Sequence, residues 1–172
     1  MEDRSVSKFS AAVDRISIFI ASCCFSGFVS RAPGTIGSLL GALAYPVTLR
    51  GLDPLQFFPA YGVLLCCTIW ICGRAAEAMG EVDPPPVILD EFIAMPLCYW
   101  PLEQFHMEQP PLWIFLLVGF ALFRFFDILK PLAINRIQSL RGGFGIVLDD
   151  TAAAIATALS MAIAAMIYGV FF

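Results

Sequence analysis

The sequence predicts an all-α, polytopic helical membrane protein with about five spans and an N-terminal interfacial helix. Three observations carry this. First, the 172 residues are 59% hydrophobic and only 14% charged, with a mean hydropathy of +0.82, whereas soluble domains run at about half apolar and about a quarter charged. So few polar side chains cannot cover a water-soluble sphere of this size, and the excess apolar surface must face lipid or other subunits. Second, the apolar residues are gathered into uncharged runs close to membrane-spanning length. Third, the cations lie on one side of those runs. The length fits a single domain over residues 1–172. The composition argues against disorder, nucleic-acid binding and a disulfide-stapled mini-protein, and the net charge of -4 names no partner.

The first fifteen residues mix Glu2, Asp3, Arg4, Lys8, Asp14 and Arg15. Residues 16–30 are apolar but lack a small-x-small cleavage pattern leading to a polar mature domain, so no removable signal peptide is expected. They are read as lying partly in the cytoplasmic interface. Four uncharged runs follow at 32–49, 54–73, 109–123 and 151–172. A straight span needs roughly 17–25 residues; three runs qualify, and 109–123 needs Arg124 snorkelling at its end. A fifth run, 92–102, is interrupted by Pro96 and Pro101. Extended back through Val87-Ile88-Leu89 it reaches spanning length and takes in Asp90 and Glu91.

The cations decide whether that fifth run crosses. If it does, with the N-terminus cytoplasmic, Arg4, Lys8, Arg15, Arg31, Arg74, Arg124, Lys130, Arg136 and Arg141 lie inside and only Arg50 outside. Nine against one is a strong positive-inside bias. Cytoplasmic segments are then 1–34, 74–91 and 124–150, with the C-terminus outward. The six cysteines are adjacent pairs or singles inside apolar runs, without Cys-x2-Cys spacing, and read as packing residues.

This topology gathers acids at one membrane face. Asp90-Glu91 opens the third span, Asp127 lies past the fourth, and Asp149-Asp150 precedes the last. Such groups are costly unless paired, solvated or bound to a cation. Arg124, Asp127 and Lys130 recur at i, i+3 and i+6, forming one polar stripe on a helix ended by Pro131. Those cations suit a phosphate; the plainer reading is a snorkelling helix end. Arg141-Gly142-Gly143-Phe144-Gly145 is a glycine-rich turn whose backbone N–H groups at Gly142 and Gly143 can approach an anion. Asp149 or Asp150 can cap the following helix, leaving the other for a metal. In Ala32-Pro33-Gly34-Thr35-Ile36-Gly37-Ser38, Thr35 is a candidate N-cap beside an anion-favouring helix end. The Gly37–Gly41 spacing serves close helix packing.

Oxygen ligands beside cations and backbone donors suit Mg²⁺ and a phosphate group. Exclusion narrows the chemistry. A single histidine, His106, rules out histidine-nucleophile lipid phosphatases. Cys-x5-Arg, Asp-x-Asp, the Gly-x4-Gly-Lys-Ser/Thr loop and the CDP-alcohol phosphotransferase signature Asp-x2-Asp-Gly-x2-Ala-Arg are all absent. What survives is metal-assisted attack of water on a phosphomonoester.

Four segments in this order resemble the bacterial phosphatidylglycerophosphatase A family: 32–38; Asp83-Pro84 with Val87-Ile88-Leu89-Asp90-Glu91-Phe92; Phe123-Arg124-Phe125-Phe126-Asp127-Ile128-Leu129-Lys130-Pro131; and Gly142-Gly143-Phe144-Gly145-Ile146-Val147-Leu148-Asp149-Asp150. The resemblance runs from about Ala21 through the last span. It implies an Mg²⁺-dependent membrane enzyme of phospholipid biosynthesis that removes the terminal phosphate of phosphatidylglycerophosphate at the cytoplasmic face of the bacterial inner membrane. It also implies that Asp90, Glu91, Asp127, Asp149 and Asp150 form the catalytic and metal-binding site, with Thr35, Arg124 and Lys130 contacting phosphate. The chain departs from the family where Cys23, Phe25 and Ala94 replace usual glycines. A rival class is a small transporter or channel subunit using helix-end acids; it expects ionisable groups at span centres, where this sequence has none.

Overall fold

The computed structural model describes residues 2–104, 111–129, 140 and 142–171, with side chains described over 10–101, 111–129, 140 and 142–167. Among these residues the fold is all-helical. Six α-helices follow in order: α1 Glu2–Ala21, α2 Pro33–Ala44, α3 Pro54–Met79, α4 Leu89–Gln104, α5 Leu112–Leu129 and α6 Gly143–Phe171. Short 3-10 turns, Ser26–Phe28 and Tyr45–Val47, follow α1 and α2.

Local chemistry sets the ends of α3. The Asp53 carboxylate accepts from the Gln56 backbone N–H at 3.0 Å, Pro54 occupies the first turn, and Gly80 stops the helix at φ 73. At 1.5 Å per residue α3 extends about 39 Å. Three helices, Pro54–Met79, Leu112–Leu129 and residues 143–167 of α6, are long and apolar enough to cross a bilayer. The two other expected spans are shorter. α2 stops after 12 residues, about 18 Å, because Pro46 cannot continue its hydrogen bonding and the chain tightens into a 3-10 turn. α4 runs 16 residues, about 24 Å, below the ~30 Å of a hydrocarbon core.

α4 is the central helix. It packs against α6, α2, α3 and α5, while α1 lies along α3 and α3 along α6. Met95, Cys98 and Tyr99 of α4 meet Phe123 of α5 and Ala153, Ala154 and Met161 of α6 in the main core. The Tyr99 hydroxyl donates to the Leu116 carbonyl at 2.8 Å. Glycines permit the tightest crossing: Gly37 and Gly41 of α2 face the carbonyls of Ile88, just before α4, and of Phe92 within it. Pro96 has no N–H to offer the Phe92 carbonyl, and Gly41 lies against that freed oxygen. The expected packing role of this glycine pair is thus seen.

Neighbour pairs fix helix direction. Gly34 meets Glu91 and Gly41 meets Met95, so α2 and α4 run parallel. Gly143, at the start of α6, meets Ile69 and Gly73 late in α3. The Arg124 end of α5 lies beside Glu91, while Gly119 lies against Tyr99 and Met161. The starts of α2, α4 and α6 and the ends of α3 and α5 therefore share one end of the bundle.

α6 differs from its expected start. It begins at Gly143, so Asp149 and Asp150 sit in its second turn and cap nothing. The reason is packing. Gly142 takes φ +65 and ends the turn, and a Cβ on Gly143 would overlap the Ile69 carbonyl. Close backbone contact with α3 holds glycines in a helix that their propensity disfavours. Likewise α2 starts at Pro33 with Ala32 at the N-cap and no side-chain cap, so Thr35 lies inside the first turn rather than capping it. All six cysteines are free thiols.

Candidate active site

A cavity of about 300 Å³ opens at the shared end of the bundle. Its acidic walls come from three helices. Asp90 and Glu91 occupy the first turn of α4, where carboxylates suit the positive end of the helix dipole. Arg124 and Asp127 come from the last turns of α5, and Asp149 and Asp150 from α6. Ala32, Pro33 and Gly34 close the side formed by the start of α2. The approach to α4 is held by the Val87 N–H to the Pro84 carbonyl and the Ile88 N–H to the Ala21 carbonyl, both 2.9 Å.

The acids are not equivalent. Asp90, Glu91 and Asp150 each offer an oxygen within 4.8 Å of the other two. Asp90 and Asp150 are only 6% and 5% exposed. Asp90 Oδ1 and Glu91 Oε2 are buried with no hydrogen-bond partner. Three carboxylates this close, two of them buried and the third half-buried, repel one another strongly, and orphaned buried oxygens are expensive. A hard divalent cation with oxygen preference relieves both costs, so this donor set fits Mg²⁺ or a similar ion.

Asp127 has a different partner. Its Oδ2 is 2.6 Å from an Arg124 terminal nitrogen, and both side chains are largely shielded from solvent. The same Arg124 nitrogen is 3.4 Å from Ser38 Oγ. Ser38 is fully buried and donates to the Gly34 carbonyl at 2.7 Å. A Cβ on Gly34 would collide with Glu91 Oε1 and press on the arginine. α2 thus forms a seat for the Arg124 guanidinium beside the acid triad. Asp149 lines the cavity, and its Oδ1 accepts from the Asp150 backbone N–H at 3.0 Å.

Of the expected site residues, Asp90, Glu91, Asp127, Asp149, Asp150 and Arg124 come together here. Thr35, Gly142 and Gly143 do not line the cavity; Gly143 packs on Ile69 and Gly73 instead. Lys130 lies outside the described residues, as do Arg136, Arg141 and His106. Gly34, Ser38 and Asp83 were not anticipated at the site. Gly34 and Ser38 are four apart and share a helical face, with Thr35 about 100° from Gly34 around the axis; that spacing was the available signal.

The turn after α1 stands behind the acids. Cys23, Cys24 and Phe25 take φ 47, 59 and 65, the left-handed region that favours glycine. Burial, then the nearby Glu91 carboxylate, pushes the Cys23 thiol up from 9.0 to about 12. It stays protonated at neutral pH and is no nucleophile there.

Residues 19–165 match the family model described as phosphatidylglycerophosphatase A. A phosphatidylglycerophosphatase A of Haemophilus influenzae is 37% identical over 133 residues, covering 76% of this chain and 77% of its own. A phosphatidylglycerophosphatase A of Escherichia coli K12 is 31% identical over 135 residues, 77% of this chain and 74% of its own. A Bacteroides thetaiotaomicron relative, named provisionally as a phosphatidylinositol-3-phosphatase, is 31% identical over 159 residues, 90% of this chain and 96% of its own. No solved structure matches the chain.

Proposed function

The chain belongs to the phosphatidylglycerophosphatase A family, and on that premise we propose that it hydrolyses the terminal phosphomonoester of phosphatidylglycerophosphate, with Mg²⁺ held by its acidic cluster. The observation that carries the reading is the convergence of Asp90, Glu91 and Asp150 oxygens beside a seated arginine. Asp90, Glu91 and Asp150 would hold the ion, with Asp149 and Asp127 completing the acidic wall. Mg²⁺ bound there supplies charge neutralisation for the phosphoryl group and acidifies the attacking water.

The protein's own groups do the rest. Arg124, oriented by Asp127 and Ser38, binds the phosphate and opposes the charge that develops on its oxygens. One carboxylate of the acidic wall takes the proton of the attacking water, and the departing lipid oxygen receives a proton in turn, so that it leaves as the alcohol. The leaving group is the lipid alcohol, whose acyl chains remain in the bilayer. We place the cavity on the cytoplasmic face of the bacterial inner membrane, with α2 to α6 crossing in alternation. The nine-to-one cation bias and the shared end of helix starts and stops support this. α4, though short, packs against the three long helices α3, α5 and α6, and α2 packs on α4 and α5.

The test is phosphate release from phosphatidylglycerophosphate in detergent micelles, beside phosphatidylinositol 3-phosphate and lysophosphatidic acid. Turnover fastest on phosphatidylglycerophosphate, and lost in Asp90→Asn, is expected. Preference for the inositol lipid would move the substrate assignment to the chemistry named for the Bacteroides relative.

A further inference from the structure

The turn joining α1 to α2 carries an exposed aromatic cluster that the catalytic chemistry does not use. Phe19 and Phe25 stack edge-on at 5.2 Å, and Phe28 lies 6.0 Å from Phe25. Phe25 is 52% exposed, Phe28 49%, and Val29 87%. Arg15 and Arg31 flank the cluster, both exposed. Phe25 also holds φ 65 at the end of a three-residue left-handed stretch, a conformation that disfavours any side chain. A bulky apolar residue kept exposed in a backbone conformation suited to glycine calls for a role outside the fold.

The turn is braced and tied to the cavity. Ser22 Oγ accepts from the Phe25 N–H at 3.1 Å, and Ser26 Oγ donates to the Cys23 carbonyl at 2.8 Å. Gly27 lies against the Pro86 carbonyl with no room for a Cβ, and Pro84 and Pro85 line the cavity. Five residues beyond Gly27, Ala32 begins the α2 wall of the same cavity. The cluster therefore sits beside the mouth on a fixed support.

We propose that Phe19, Phe25, Phe28 and Val29 form a wedge that inserts at the headgroup–acyl boundary of an anionic phospholipid leaflet, holding the cavity mouth against the surface from which lipid enters. Apolar rings flanked by arginines match that boundary in polarity and charge. The inference rests on the proposed function only for what passes the mouth.

Phe25→Trp, in a chain whose Trp70, Trp100 and Trp113 are replaced by phenylalanine, reads the insertion directly. Reconstituted in phosphatidylglycerol–phosphatidylethanolamine vesicles, its emission should be blue-shifted and quenched at least twofold by chains brominated near the glycerol. Water-like emission, unquenched, would overturn the wedge. Phe25→Gly in the otherwise native chain is the second test. It should raise the thermal midpoint in detergent by about 2–4 °C, since the strained φ is relieved, yet raise the surface KM for lipid in vesicles several-fold. A Phe25 that served only the fold would not move the two readouts in opposite directions, and an unchanged KM would count against the wedge. Quenching in a chain that releases no phosphate from any lipid would still support the wedge, separating it from the function.

Discussion

Three carboxylates, Asp90, Glu91 and Asp150, meet at the wall of the cavity with two of their oxygens buried and unpartnered. Such an arrangement is stable only with a cation or a proton shared among them. If the cation is what the fold serves, Asp90→Asn or Asp150→Asn should lower turnover about 100-fold or more while the protein still inserts and purifies; phosphate-release rates on matched amounts of protein check this. Gly34 offers a sharper probe, because its missing Cβ makes room for Glu91 Oε1. Gly34→Ala should displace Glu91 and Arg124 together, lowering turnover and destabilising the fold by about 1–3 kcal/mol. Cys23 gives a pH signature. Its raised thiol pKa, about 12 against 9.0, means that the neutral form is favoured in the fold; the associated stability is full below pH 9 and is lost as pH climbs toward 12. In a chain retaining only Cys23, iodoacetamide should label the native protein slowly at pH 8 and rapidly after unfolding.

Helix boundaries show where sequence reasoning reaches and where it stops. The runs in α3, α5 and α6 are legible because an uninterrupted apolar stretch of that length fits little besides a membrane span. α4 is not legible from hydropathy, since Pro96, Pro101 and the Asp90-Glu91 pair all argue against it; the cation count alone makes it an expected span, and the structure shows a helix of 16 residues there. The five acids were readable because carboxylates on an apolar background demand a chemical reason. Ser38 was not, because a serine within an apolar run reads as one that bonds back to its own helix, and its hydroxyl does bond to Gly34. Only tertiary packing reveals that Arg124 also reaches it. The start of α6 was hidden for the same kind of reason: glycine propensity opposes a helix at 143–145, and contact with α3 overrides it. Gly143→Val should therefore destabilise the protein by about 3 kcal/mol or more, visible as a lowered thermal midpoint in detergent, although Gly143 touches no substrate.

Across the whole molecule, the ends of α3 and α5 and the starts of α2, α4 and α6 converge, so the cavity is walled by helix termini and their neighbouring turns. On the proposed function, a site built this way would lie close beneath one membrane surface and meet lipid headgroups without drawing acyl chains into water. The alternation also makes a topological prediction. Arg50→Cys, between α2 and α3, and Glu81→Cys, just past α3, should be labelled by an impermeant maleimide from opposite sides of sealed vesicles. The decisive measurement is a divalent-cation titration of phosphate release from phosphatidylglycerophosphate, for the native chain and for Asp150→Asn. Metal held by the acid triad requires Mg²⁺-dependent release that EDTA abolishes, with the variant inactive or needing much more Mg²⁺. Full release in EDTA, or an unchanged Mg²⁺ requirement in the variant, would contradict it.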